Sequence, residues 1–360
     1  MTEYKLTDES IKVDGKTLYR IELTKNHMVH GREGTKGGFI ESEKNLTKNA
    51  FVYDSAKVYG KAVVTNNAKV SGKAEVSGSA EVSGKAQVYH NAKVSGNARI
   101  SGKAKVYGKA QVYQNAQVYG SAEVSGKTEV YGEARVSGNA KVSGKAQVYQ
   151  NAQVYGSAEV SGKTEVYDHA VVTDNARVFG YAKVSGKAKV FDNSIVYGSA
   201  EVSGKTEVYG GAEVSGKAEV SDNAKVSGSA KIFESAKIFE SAWVYDHAVV
   251  TNNARVFGYA KVSGNTNVSG KAQISGEAMV YDEARVSGNA RVSGNANVSG
   301  SAEVSDNAEV SGNAKVSGKA WVSGNARVSG NARVSGKAMV FGKANVSGNT
   351  EVSGNEKVSL

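Results

Sequence analysis

The chain predicts an all-β parallel solenoid of triangular section, and three observations predict it. Every sixth residue from Ile40 to Val358 is Ile, Leu or Val, 54 positions without a break. Gly, Asn or Asp recurs in most of the two-residue segments that join one unit to the next. Charges 18 residues apart on the outward positions are mostly opposite, whereas charges six apart are mostly alike.

Each part of the unit follows from side-chain geometry. A small residue, nearly always alanine, stands two positions before each aliphatic one, as at Ala50, Ala56, Ala62 and Ala68. Residues two apart on a strand face the same way, so alanine and valine point inward together. The Lys, Glu, Arg, Ser and Tyr around them point outward. Gly, Asn and Asp tolerate the positive φ that a sharp corner requires. A helix would need a period near 3.6 and would not accept a glycine in nearly every turn. Three such sides per coil place residues n and n+18 in neighbouring coils, where opposite charges attract. The outward line Lys105, Glu123, Lys141, Glu159, Arg177 shows this alternation. A spacing of 24 also favours opposite charges, so three units per coil is the simpler register, not the sole one. It yields about 18 coils of 18 residues. At roughly 4.8 Å per coil, that is a rod about 86 Å long.

Residues 1–37 lack the period, and residues 38–360 carry it. Ile11-Lys12-Val13-Asp14-Gly15-Lys16-Thr17-Leu18-Tyr19-Arg20-Ile21 reads as a hairpin, because Asp-Gly between alternating runs is a strong turn signal. A first coil exposes a core and an unpaired edge, and this hairpin is expected to cap both. The loop Asn26-His27-Met28-Val29-His30-Gly31-Arg32-Glu33 is the alternative: a ligand, metal or partner site using His27 and His30. The last coils run through Val352 and Val358 to Leu360 with no visible cap, which leaves end-to-end self-association open.

Composition excludes several classes. There are 42 glycines but no proline and no cysteine. Collagen-like chains, disulfide frameworks, thiolate zinc sites and cysteine nucleophiles are therefore out. No apolar run approaches the roughly 20 residues of a membrane helix. The start lacks a signal peptide's apolar core, which points to the cytoplasm. The glycines are strand corners, not phosphate cradles, and no dinucleotide fingerprint occurs.

The unit resembles that of the hexapeptide-repeat, left-handed β-helix family. That family places a small residue four positions after an aliphatic one, as in Val58-Tyr59-Gly60-Lys61-Ala62. This chain departs from it directly after the aliphatic residue, where it has Ser or Tyr in place of Gly, Ala, Glu or Asp. The resemblance implies a left-handed, single-stranded coil. Met1-Thr2-Glu3-Tyr4-Lys5-Leu6, Val13-Asp14-Gly15-Lys16, Gly37-Gly38-Phe39-Ile40 and Val52-Tyr53-Asp54 are similar to the start of YdcK-like proteins. That bacterial and phage-borne group carries a transferase label, which follows the fold. The resemblance implies virion association if the chain is phage-encoded.

Four functional readings follow. Acyltransferases of the hexapeptide family typically use a histidine base, a protruding loop and a trimer interface. Here the repeat offers only His90, His169 and His247, and no coil carries an insertion. Asp174 and Asp192, 18 apart, would suit a hard cation, but aspartate also suits a corner for its backbone alone. A net charge of +10, with Lys315, Lys319, Arg327, Arg333 and Lys337 clustered, suits a polyanion such as nucleic acid. Tyr113, Tyr131, Tyr149 and Tyr167, each 18 apart, predict an outward aromatic ladder. We take it as the candidate interaction surface for a protein or polymer partner. The expected function is a non-enzymatic scaffold. No catalytic residue, metal ligand, cofactor or membrane contact is assigned.

Overall fold

Six residues make one side of a coil because a two-residue strand and a two-residue corner share them. Strands such as Lys105–Val106, Glu123–Val124 and Lys141–Val142 recur every 18 residues and pair in parallel. Lys105 lies against Glu123 and Glu123 against Lys141, so the register is 18 and the alternative of 24 is excluded.

The computed structural model describes residues 3–360. Met1 and Thr2, the first residues of the expected cap, lie outside the described residues. Two compact units are present, one ending at Gly180 and one spanning Tyr181–Leu360. Both are all-β parallel solenoids with three sheets, and together they comprise about 18 turns. The one helical element among the described residues is a short 3-10 turn, Glu43–Asn45.

Backbone hydrogen bonds run from each coil to the next. Lys105 N–H donates to the Ala122 carbonyl at 2.9 Å, Tyr107 N–H to Val124 at 2.9 Å, and Lys109 N–H to Gly126 at 2.7 Å. A turn bond within the unit, such as Ala104 N–H to the Ser101 carbonyl at 3.3 Å, closes most corners. Inward valines and alanines such as Val106, Ala122 and Val124 have no exposed surface. The outward row carries the expected ion pairs: Lys105–Glu123 at 3.0 Å, Lys141–Glu159 at 3.8 Å and Arg177–Glu159 at 3.6 Å. Such exposed pairs contribute only a few tenths of a kcal/mol each, so their weight lies in register.

The N-terminal segment joins the same sheet. β1 (Tyr4–Val13) and β2 (Lys16–Leu23) form an antiparallel hairpin around Asp14 and Gly15, both at positive φ. β3 (Lys36–Ile40) pairs antiparallel with β2 and parallel with Lys57–Val58. β3 is thus the joint between hairpin and coil. Leu18, Phe39 and Tyr59 form a small buried cluster there. Tyr59 donates to Asp14 Oδ2 at 2.9 Å, and Tyr4 donates to the Leu46 carbonyl at 3.0 Å. In the last coil, Thr350 and Glu356 occupy the inner small-residue position and are exposed. Each hydrogen-bonds its own turn, through Ser347 and Ser353.

Corners explain the glycines and their substitutes. Gly138 has φ +67, and a Cβ there would lie 2.8 Å from the Gly156 carbonyl oxygen, one coil on. Gly348 has φ +66 but nothing within 4 Å of that position. Gly348→Ala should therefore cost about 1 kcal/mol for the left-handed backbone alone. Gly138→Ala should cost about 1–3 kcal/mol more for crowding the neighbouring coil. Urea denaturation of the two variants checks this; equal losses would mean the corners are not stacked as described.

Candidate functional site

Outward side chains are the only groups the repeat leaves free to act, and their rows are set by register. Tyr113, Tyr131, Tyr149 and Tyr167 each follow a strand of one sheet, Gln111–Val112 through Glu165–Val166. The structure brings them together as a continuous stack. Ring centroids are 4.9, 4.9 and 5.0 Å apart, with planes within 5° of parallel. The rings are half-buried rather than fully exposed, because each shields its neighbour. Burial first, then the adjacent Glu129 or Glu165, pushes the Tyr113 and Tyr149 hydroxyls up to about 12, and Tyr131 also rises. Tyr113, Tyr131 and Tyr149 therefore stay neutral well above physiological pH. Tyr113 donates weakly to Glu129 Oε2 at 3.4 Å. Glu129 and Glu165 alternate with Gln111 and Gln147 beside the rings.

The histidines of the repeat are not assembled into a site. His90 follows a strand of one sheet and stacks edgewise on Tyr89 at 4.8 Å. His169 follows a strand of a different sheet in the same unit. His247, in the second unit, is exposed beside its corner. Strands recur every six residues around all three, so no protruding loop accompanies them.

Corner aspartates direct their carboxylates into the backbone. Asp54 Oδ2 accepts from Gly72 N–H at 2.9 Å, Asp246 from Gly264 at 3.2 Å, and Asp306 from Gly324 at 3.0 Å. Asp192 accepts from Gly210 N–H at 3.1 Å. Gln114 does the same for Gly132 at 2.7 Å. All five sit at positive φ, as does Asp174. Each of the five side chains accepts the corner N–H that the ladder bonds leave over, which accounts for those five residues without a cation.

The loop carrying His27 and His30 is tied to the first coil. His30 is nearly buried and stacks between His27 at 4.1 Å and Phe51 at 4.9 Å. Its Nε2 lies 3.1 Å from the Asn49 carbonyl, which can only accept, so Nε2 carries the proton. Nδ1 then accepts from the Tyr53 hydroxyl at 2.6 Å. His27 Nδ1 accepts from the backbone N–H groups of Val29 and His30. Its Nε2 faces Glu3 at 3.3 Å. Both rings are fully engaged, so they hold the loop and have no lone pair left for a metal. A cavity of about 450 Å³ opens beside them, lined by Tyr4, Leu23, Leu46 and Phe51 among others.

Sequence reading missed a second aromatic surface. In the second unit Trp243, Lys261 and Met279 follow one another on a single outward row. Tyr245, Tyr259 and Tyr281 flank that row, around grooves of about 890 and 230 Å³. The signal was present: Trp and Met replace the usual charge at the position before valine.

These observations define a repeat β-solenoid protein. Five segments, residues 134–150, 272–288, 284–300, 320–336 and 326–342, match the family described as YdcK Beta solenoid repeat. Over those segments the chain is similar to that family, consistent with a YdcK-like repeat β-solenoid, and the wider hexapeptide likeness holds in part. No curated protein matches the chain. Among the described residues, no helix is long and apolar enough to cross a membrane.

Burial is the main cause holding the His30 pKa below its ordinary value. The folded protein therefore binds its proton less readily than the unfolded chain. Stability from this contact is complete above about pH 6.5 and is lost as pH falls below it. Protection of the Val29 and His30 amides, taken relative to their intrinsic exchange rates at each pH, should fall between pH 7 and 5. In His30→Asn that acid-specific loss of protection should vanish. Equal pH dependence in both proteins would refute the assignment.

Proposed function

We propose that the protein is a non-enzymatic binding scaffold, a rigid repeat whose outward rows present aromatic side chains to a protein or polymer partner. The observation that carries this reading is the Tyr113–Tyr131–Tyr149–Tyr167 stack. Its rings, amides and carboxylates suit a partner with flat apolar faces and hydrogen-bond donors. Beside Glu129 and Glu165, a polyanion would be repelled, so nucleic acid is disfavoured on this face. We also read residues 1–37 as the cap of the first coil, and the cytoplasm is the compartment we infer.

The competing chemistry is acyl transfer, and it is directly testable. Titration calorimetry with acetyl-coenzyme A should give no saturable binding, and the triple variant His90→Ala/His169→Ala/His247→Ala should behave like the parent. Saturable binding that this variant loses would replace the scaffold reading with an enzymatic one.

A further inference from the structure

The stacked rows contain single missing rungs, each a nearly buried serine between two aromatic residues of its row. In the first unit, Tyr119, Ser137 and Tyr155 occupy one row in consecutive coils. The two tyrosines are two coil spacings apart, about 10 Å. One planar ring placed above Ser137 would lie near 5 Å from each, matching the 4.9 Å spacing of the complete tyrosine stack. Tyr119 and Tyr155 are 38% and 39% exposed, whereas the rings of the complete stack are half-buried. Arg135, on the same coil as Ser137, lies between Gln117 and Gln153 on the adjoining outward row.

The arrangement recurs in the second unit. Tyr245, Ser263 and Tyr281 repeat the missing rung, and Lys261 takes the place of Arg135. Here the gap is a groove of about 230 Å³ lined by Tyr245, Lys261, Ser263 and Tyr281. Asp246 and Asp282 also line it, with carboxylates accepting from Gly264 and Gly300 N–H. Neither Arg135 nor Lys261 takes part in an ion pair among the described residues, unlike Lys105 or Lys225. Glu133 stands at the corner before Arg135 without bridging to it.

The protein itself shows what fills such a gap. Ser227 is another missing rung, between Tyr209 and Tyr245, and the Trp243 indole covers it. Trp243 Nε1–H donates to Ser227 Oγ at 3.1 Å, and its ring lies 4.5 Å from Tyr245. Trp321 makes the same bond to Ser305 at 3.3 Å. An aromatic ring with a donor toward serine is thus already the occupant at the Ser227 rung, and Trp321 repeats the serine bond where no tyrosines flank it.

We propose that the slots at Ser137 and Ser263 bind a planar aromatic ring bearing an anionic group, with the ring between the paired tyrosines and the anion on Arg135 or Lys261. The serine hydroxyl accepts from a ring N–H, as Ser227 does from Trp243. Charge-assisted bonds to the cation select the acid over its neutral or cationic analogues. The slots use different residues from the Tyr113–Tyr167 stack, so this proposal stands or falls apart from that surface.

Indole-3-acetate is a suitable probe, with tryptamine as the cationic counterpart, followed by ligand-observed saturation-transfer NMR and calorimetry. Indole-3-acetate should bind and tryptamine should not compete. Arg135→Gln/Lys261→Gln should lower affinity about tenfold, the equivalent of one charge-assisted bond. Ser137→Tyr/Ser263→Tyr should complete both ladders, abolish binding and raise the melting temperature. Competition by tryptamine at equal concentration would overturn the proposal. So would undiminished binding in the Gln pair, whose surface changes leave the fold intact even if the Tyr pair fails to fold.

Discussion

Everything in this protein depends on one constraint: a corner every six residues that turns through positive φ and stacks on the corner 18 residues later. Glycine meets it by lacking a Cβ, since at Gly138 that atom would press into the Gly156 backbone. Asp54, Asp246 and Gln114 meet it differently, by extending a side-chain oxygen to the next coil's corner N–H. With corners held in this way, strands of only two residues suffice. The inter-coil bonds supply what strand length would otherwise provide.

Register then converts sequence spacing into surface pattern. Because n and n+18 adjoin within each unit, a residue copied once per coil becomes a ladder and a residue alternating in sign becomes an ion-pair row. Lys105, Glu123 and Lys141 form the second kind, and Tyr113 through Tyr167 the first. The backbone repeats from coil to coil, so what distinguishes one row from another is the side chains it presents. Two rows stand out, the complete tyrosine stack and the interrupted one flanked by Arg135 and Lys261 on the adjoining row.

Much of this was legible in the residues alone. The inward Val and Ala series gave strands and core, and the line through Lys105, Glu123 and Lys141 favoured 18 over 24. The Asp14–Gly15 hairpin was readable because turn chemistry is local. What was hidden depended on contacts far apart in sequence. The engagement of His30 with Asn49 and Tyr53 requires knowing how the loop folds onto the first coil. The Asp192 carboxylate serves the Gly210 N–H, a contact that only the register of the corners makes visible. The gaps at Ser137 and Ser263 are defined by an absent ring, which only the register makes visible. Trp243 over Ser227 likewise joins residues 16 apart on adjoining rows.

The register itself can be read by cross-linking, because the chain has no cysteine of its own. Neighbouring parallel strands approach to about 4.8 Å, within the Cα range of a disulfide. Under mild oxidation, Lys141→Cys/Glu159→Cys should form an intramolecular disulfide in high yield, and Lys141→Cys/Glu165→Cys should not. The reverse result would place residues 24 apart in contact and contradict the account from its corners outward.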